Sequence, residues 1–361
     1  MPKERRLPAL PAGEAPATPG APPGPRPAGL HHGGRLIAAA RQYGIPAADW
    51  LDLSTGINPN GFPVPPLPAA CWQRLPEEGD GLEEAAAAYY GNPRLLALPG
   101  SQAAIQALPG LLPPAAIACL APLYQEHPQA WQRAGHKVRL LPTASLARAL
   151  AAATPRVLLC NPNNPTAARH PREAVLDAAR QLQRRGGWLF VDEAFIDPEP
   201  EDSVTPFAGG PEAPNLVVLR SLGKFFGLAG ARVGFIFGAP DLLAALAEKL
   251  GPWAVPGPSR AAARLALEDT GWQAAARWEL PRASRRLQEL LAPLGPVAAT
   301  ALFASLETEV ADDLFAFLAR RGILVRHFPG QPRLRFGLPG DEAQWQRLAA
   351  ALDEWRQPGG A

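Results

Sequence analysis

Lys224 stands in Ser221-Leu222-Gly223-Lys224-Phe225-Phe226, just past the apolar run Leu216 to Arg220 and between Leu222 and two phenylalanines. A lysine drawn out of water in this way is pushed toward its neutral, nucleophilic form. Four more segments with chemical potential follow strand-like apolar runs upstream of it. Leu95 to Leu98 leads into Pro99-Gly100-Ser101-Gln102 and then a helix, whose first N–H groups can receive an anion, although Ser101 also suits an ordinary helix cap. Ala116 to Leu120 leads to Tyr124, an aromatic ring that could face either a ligand or the core. Arg156 to Cys160 leads into Asn161-Pro162-Asn163-Asn164-Pro165-Thr166, a stiff turn whose Asn amides can donate to a ligand oxygen. Trp188 to Val191 ends at Asp192-Glu193-Ala194-Phe195, where a carboxylate can pair with a buried cation or cap a helix. Arg232 follows the lysine segment in Gly230-Ala231-Arg232-Val233-Gly234. The set contains an amine, an acid, an amide donor, a ring and an anion cradle.

These groups can meet only if the chain forms a particular kind of sheet. Short apolar runs alternating with helical stretches predict an α/β fold with a mainly parallel, doubly wound sheet, and ligands of such sheets bind beyond the carboxyl ends of the strands. After Pro252-Trp253 the pattern turns helical to Leu291, and strand candidates at Leu302 to Leu306 and Leu334 to Phe336 flank a helix from Asp312 to Arg320. That end predicts a smaller α+β unit. The expected division is a tail over residues 1–28, an arm contributing to the small domain over 29–60, a large ligand-binding domain over 61–250 and the small domain over 251–361. The tail is rich in Pro, Ala and Gly and is expected to be disordered. Met1 is the sole methionine of the chain, which raises the expectation that translation begins near Leu30.

Composition narrows the function classes. A formal charge of +2 over 361 residues, with no block of Lys and Arg, gives no case for a nucleic-acid partner. No apolar run reaches bilayer length, and the prolines after Arg6 leave no export-signal core, so neither a membrane nor an export reading is supported. Cys71, Cys119 and Cys160 lack metal-ligand spacing and leave one thiol unpaired in any disulfide scheme, which favours a reducing cytoplasm and no metal.

Through Gly100-Ser101-Gln102, Asn161 to Thr166, Asp192 to Phe195 and Ser221-x-x-Lys224 followed by Arg232, the chain from about His32 onward resembles the fold-type I, class I/II aminotransferase superfamily. More narrowly, His32-Gly33-Gly34, Asp52-Leu53-Ser54, Ile57-Asn58-Pro59, Leu219 to Leu222, Pro252 to Val255 and Ile323 to Arg326 resemble the threonine-phosphate decarboxylase branch of cobalamin biosynthesis. The resemblance implies a pyridoxal 5'-phosphate cofactor attached to Lys224. Its phosphate would be held by Gly100, Ser101, Gln102, Ser221 and Arg232, its ring stacked on Tyr124, its ring oxygen bonded by Asn164 and its ring nitrogen kept protonated by Asp192. It further implies that His32, Gly33, Asn164, Arg326 and Arg335 meet a phosphorylated amino-acid substrate, with the partition of the two arginines between phosphate and carboxylate left open, and that the protein is a homodimer. The implied reaction is decarboxylation of L-threonine O-3-phosphate. The alternatives are transamination like that of histidinol-phosphate aminotransferase and a non-catalytic, cofactor-binding regulator. Phe195 stands where the superfamily usually has Tyr, which leans toward decarboxylation. Ala167, Leu75 and Gly56 also depart from the usual pattern.

Overall fold

A strand buried on both faces reads as an unbroken apolar run, and five such runs form the middle of the main sheet. The computed structural model describes residues 33–152 and 154–357. His32, the expected disordered tail and the proposed start near Leu30 lie outside these residues. The chain first lays down a short strand, β1 (Leu51–Leu53), and then seven strands of one sheet: β2 (Leu95–Leu98), β3 (Ala116–Ala121), β4 (Lys137–Pro142), β5 (Arg156–Cys160), β6 (Trp188–Asp192), β7 (Leu216–Ser221) and β8 (Gly234–Phe237). Their order is β2-β8-β7-β6-β5-β3-β4. β3 to β7 run parallel, and β8 is antiparallel to both β7 and β2. The expected doubly wound, mainly parallel sheet is therefore present.

The sheet carries a core on each face, one around Val157, Leu159 and Val191 and the other around Leu158, Phe190 and Val217. β5 is buried at every position, whereas β4, at the sheet edge, exposes Lys137 and Arg139. Charges on an edge strand discourage pairing with another chain.

The remaining strands, β9 (Val297–Thr300), β10 (Phe303–Glu307), β11 (Ile323–His327) and β12 (Arg333–Gly337), form a second sheet in the order β1-β11-β12-β10-β9. β1 joins it by pairing in parallel with β11, which returns the N-terminal segment to the C-terminal end of the chain. β10 and β12 match the two strand candidates at this end within one residue, and the helix between them spans Ala311–Arg320. The strands β1, β4, β8, β9 and β11 lie outside the strand candidates named from the sequence.

Candidate active site

The expected segments all open at one edge of the seven-stranded sheet. A single cavity there is lined by Ser101, Gln102, Tyr124, Asn164, Asp192, Ser221, Lys224 and Arg232, joined by Cys160 and Phe195. Gly100, Gly33, Arg326 and Arg335 lie outside this lining and act on it through neighbours.

Lys224 follows the end of β7 in a loop held from below. Asn58 donates its backbone N–H to the Lys224 carbonyl at 3.0 Å and its side-chain amide to the Phe225 carbonyl at 2.9 Å, and Phe62 N–H reaches the Phe226 carbonyl at 2.9 Å. The polar turn Ser54 to Gly61 is thus the clamp that fixes the lysine's backbone. Gly227 turns with φ +69°, and a Cβ on it would sit 2.5 Å from the Gly61 Cα, so a side chain at this point would push the clamp away. Leu222, Phe225 and Phe226 are fully buried, while Lys224 keeps some accessible surface. Its Nζ lies 3.4 Å from the Thr55 carbonyl and 5.4 Å from the centre of the Phe195 ring. Desolvation, with help from Arg335 and Arg232 and against the pull of Asp192, lowers this amine from 10.5 to about 8.

Asp192 is buried at the end of β6. Its Oδ2 is 2.7 Å from His127 Nε2, and its Oδ1 accepts the Ala194 N–H at 3.0 Å. His127, itself buried, sits in the helix Glu126–Arg133 that follows Tyr124. The reading of residues missed it; its signal was position, three residues beyond the tyrosine of a junction already singled out. Cys160 brings its sulfur within 4.8 Å of the His127 and Asp192 ligand atoms. Burial holds that thiol well above its ordinary range, and the acid and imidazole already bond each other, so the trio is a poor metal donor set.

At the anion end, Gly100 turns with φ +78° and presses against Arg232, and a Cβ at Gly100 would stand 2.5 Å from Arg232 Nη2. Arg232 itself adopts the left-handed conformation with φ 53°, and its guanidinium, donating to the Ala229 carbonyl at 3.2 Å, lies against Gly100 at the start of the helix Ser101–Ala107. The Gln102 side chain is committed elsewhere: its Oε1 accepts from the Tyr124 hydroxyl at 3.2 Å and its Nε2 donates to Glu126 at 3.0 Å. Only its backbone can serve an anion. Burial raises the Tyr124 hydroxyl to about 12, so it stays protonated and keeps the ring in place.

The third group lies on the second sheet. Arg335 is 4% exposed, donating to Asn164 Oδ1 at 2.6 Å and to the Ser54 carbonyl at 2.7 Å. Asn164 therefore spends its oxygen on Arg335 and keeps its amide hydrogens for a ligand. Arg326 lies opposite Arg335 in the β11–β12 register. Burial and the neighbouring Arg326 both push the Arg335 guanidinium below its ordinary range. Gly33 abuts the Ser54 carbonyl so closely that a Cβ would be 2.2 Å from it.

The sequence model of the aminotransferase class I and II family matches residues 78–352. The chain belongs to this family. Among curated relatives, the threonine-phosphate decarboxylase of Pseudomonas aeruginosa is 51% identical over 331 residues, covering 91% of this chain and 99% of that protein. The threonine-phosphate decarboxylase of a Sinorhizobium species is 42% identical, with 89% and 97% covered. Among solved structures, histidinol-phosphate aminotransferase from Sinorhizobium meliloti in complex with pyridoxal-5'-phosphate superposes with a TM-score of 0.72 at 22% identity, covering 91% of this chain and 98% of that one, a likeness of fold. Class I/II aminotransferase-family members use pyridoxal phosphate. The residues of this cavity fit that group: a desolvated lysine, a buried acid, an aromatic ring and a glycine-backed arginine at one sheet edge.

Proposed function

We propose that this chain is a pyridoxal-phosphate-dependent carboxy-lyase that converts L-threonine O-3-phosphate to (R)-1-amino-2-propanol phosphate for the aminopropanol linker of cobalamin. The observation that carries the reading is the meeting of Lys224 and Asp192 in one cavity, near Arg335 and its cross-strand neighbour Arg326, in a chain alignable along nearly its whole length with threonine-phosphate decarboxylases.

Lys224 would attach the cofactor, and Ser101, Ser221, Arg232 and the Gln102 backbone would hold its phosphate. When bound, pyridoxal phosphate supplies an electron sink for the pair left at Cα. Asp192, oriented by His127, would keep a ring nitrogen protonated, while Tyr124 packs the ring and Asn164 donates its amide to the ring oxygen. Arg335 is the nearer arginine to the amine, being bonded to Asn164 and among the charges that depress Lys224, so it suits the α-carboxylate. Arg326, farther along the β11–β12 pair, suits the substrate phosphate. With the cofactor bound, Arg335 would orient the substrate carboxylate for loss as carbon dioxide, and the Lys224 ammonium would supply the proton that takes its place at Cα.

The reading includes a homodimer, supported by the exposed apolar side chains of Trp72, Leu75 and Trp253, and a division into a cofactor-binding domain over 61–250 and a smaller one from 29–60 with 251–361. A cytoplasmic setting agrees with the free thiols of Cys71, Cys119 and Cys160. No helix among the described residues is long and apolar enough to cross a membrane. Incubating the holoenzyme with O-phospho-L-threonine tests the activity. Release of carbon dioxide without a 2-oxo product is expected, whereas a 2-oxo product would replace decarboxylation by transamination.

A further inference from the structure

Arg335 is a buried cation held by neutral groups. Its hydrogen-bond acceptors among the described residues are the Asn164 Oδ1 at 2.6 Å and the Ser54 carbonyl at 2.7 Å, and neither carries a charge. Its guanidinium lies over the Phe303 ring, with the central carbon 5.1 Å from the ring centre. Register explains the meeting. Ser305 stands opposite Arg335 and Phe303 opposite Gly337, so Phe303 is the diagonal neighbour of Arg335 on one face of the sheet, a spacing that aromatic and long side chains bridge. The negative face of an aromatic ring attracts a desolvated cation, and it does so without occupying an N–H donor.

Phe303 is fixed on its other side by the groups around Lys224. Its ring meets that of Phe195 edge to face, with centres 5.0 Å apart and planes at 79°, and the Phe195 ring in turn lies 5.4 Å from the Lys224 Nζ. Both rings close on Gly56, where a Cβ would stand 3.3 Å from Phe195 Cε1 and 3.5 Å from Phe303 Cδ1. Gly56 turns with φ +63°, and the carbonyls of the two residues before it are the ones that accept from the cations: Ser54 from Arg335, Thr55 from Lys224. One turn and one aromatic pair therefore set the guanidinium and the amine in a fixed relation.

We propose that Phe303 is a positioning residue, whose ring carries the Arg335 guanidinium at the place where it receives the α-carboxylate of the substrate. The assignment rests on the reading of Arg335 as the partner of that carboxylate in a decarboxylase. Phe303 is fully buried, so it reaches the substrate only through Arg335 and Phe195.

The test compares Phe303→Leu, which keeps an apolar side chain but loses the ring, with Leu306→Ala, which opens a hole behind the opposite face of the same strand. Both should lower the melting temperature; the first alone should change how the carboxylate is handled. With holoenzyme and O-phospho-L-threonine, Phe303→Leu should lower kcat/KM about 5- to 30-fold, the worth of a desolvated cation–π contact. Its inhibition constant for 1-amino-2-propanol phosphate, which has no carboxylate, should stay within about twofold of the wild type, as should kcat/KM per bound cofactor in Leu306→Ala. An unchanged kcat/KM in Phe303→Leu, an equal loss of affinity for the carboxylate-free amine, or the same loss in Leu306→Ala overturns the proposal. Where Phe303→Leu does not fold, Phe303→Met carries the same comparison. Should the wild type leave O-phospho-L-threonine untouched, the decarboxylase reading fails by itself. Phe303 is then judged on acetate titrated into the holoenzyme and followed by the absorbance of the bound cofactor: binding weaker by about threefold or more in Phe303→Leu upholds its role, and a smaller change ends it.

Discussion

The two sides of the β6–β7 pair are built from the same residue types and behave in opposite ways. On one side lie Asp192 and Lys224, on the other Glu193 and Arg220, each acid adjacent to the other in sequence and the two cations four residues apart. Arg220 is 2% exposed and donates to Glu193 at 3.1 Å, Asp197 at 2.6 Å, Ser203 at 2.9 Å and Thr205 at 3.2 Å, with its guanidinium 4.5 Å from the centre of the Tyr90 ring. Glu193 collects the Ser203 and Thr205 hydroxyls and the Val204 N–H in addition. Its two acids raise the Arg220 guanidinium above its usual range against the cost of burial. Among the described residues Lys224 donates one long hydrogen bond, to a carbonyl, and burial lowers its amine. One side matches its charges and spends them on the fold. The other ties its acid to His127 and leaves the amine without a carboxylate partner among the described residues, which is the condition for reacting with something that arrives.

Exchanging the cations' roles breaks this contrast most directly. Lys224→Ala should lower decarboxylation by at least about 10³-fold, since it removes both the attachment amine and the proton carrier. Its unfolding free energy should stay within about 0.5 kcal/mol of the wild type or rise, because a desolvated charge has been removed. Substantial residual turnover, followed as carbon dioxide release, would remove Lys224 from the mechanism. Arg220→Met does the reverse. It strands Glu193 and Asp197 in the core and should destabilise the protein by about 3–5 kcal/mol in urea titration. Unchanged stability would mean that the buried side is not the structural one.

Asp192→Asn sharpens the comparison from the acid's side. The amide oxygen can still accept the Ala194 N–H while the NH2 donates to His127 Nε2 in its other tautomer, so the melting temperature should hold, while the missing negative charge slows the reaction by about 10²–10³-fold. A rate equal to the wild type would separate Asp192 from the electron sink. The corresponding change at Glu193 should act on stability instead, since that carboxylate is bonded only inside the fold.

Which of two neighbouring acids faces the cavity is the part of this site that residue types alone leave undecided. Asp-Glu after an apolar run announces a strand end; the pleat turns Asp192 toward His127 and Glu193 toward Arg220, and the turn becomes visible only when β6 pairs with β7. The strands that carry the cavity were legible because burial on both faces demands unbroken apolar runs. β1 was not, because three residues carry no period and it is a strand only through β11. β4 alternates basic and apolar residues in a way suited to a sheet edge, and β8 is entered through the glycines around Arg232. Lys224, Asp192, Tyr124 and Arg232 were found by their place at strand ends, whereas the closeness of Arg326 and Arg335 is a matter of register between two strands that the chain separates by a turn.

The mildest perturbation changes only the proton concentration. An amine lowered from 10.5 to about 8 is protonated below that pH and neutral above it, so its reactive fraction is one half near pH 8 and falls about tenfold for each unit below. Cofactor attachment to the apoprotein, followed by the absorbance change on mixing with pyridoxal phosphate, should therefore rise with pH and level off above about 8. Burial is the larger cause and Arg335 the second, which gives the experiment a direction as well as a midpoint. Arg335→Gln removes a positive charge from the amine's surroundings and should move the midpoint upward, toward but short of 10.5, with burial retained. A midpoint near 10 in the unaltered chain would show the amine to be solvated like any surface lysine, and the contrast between the two sides of β6 and β7 would then lose its physical cause.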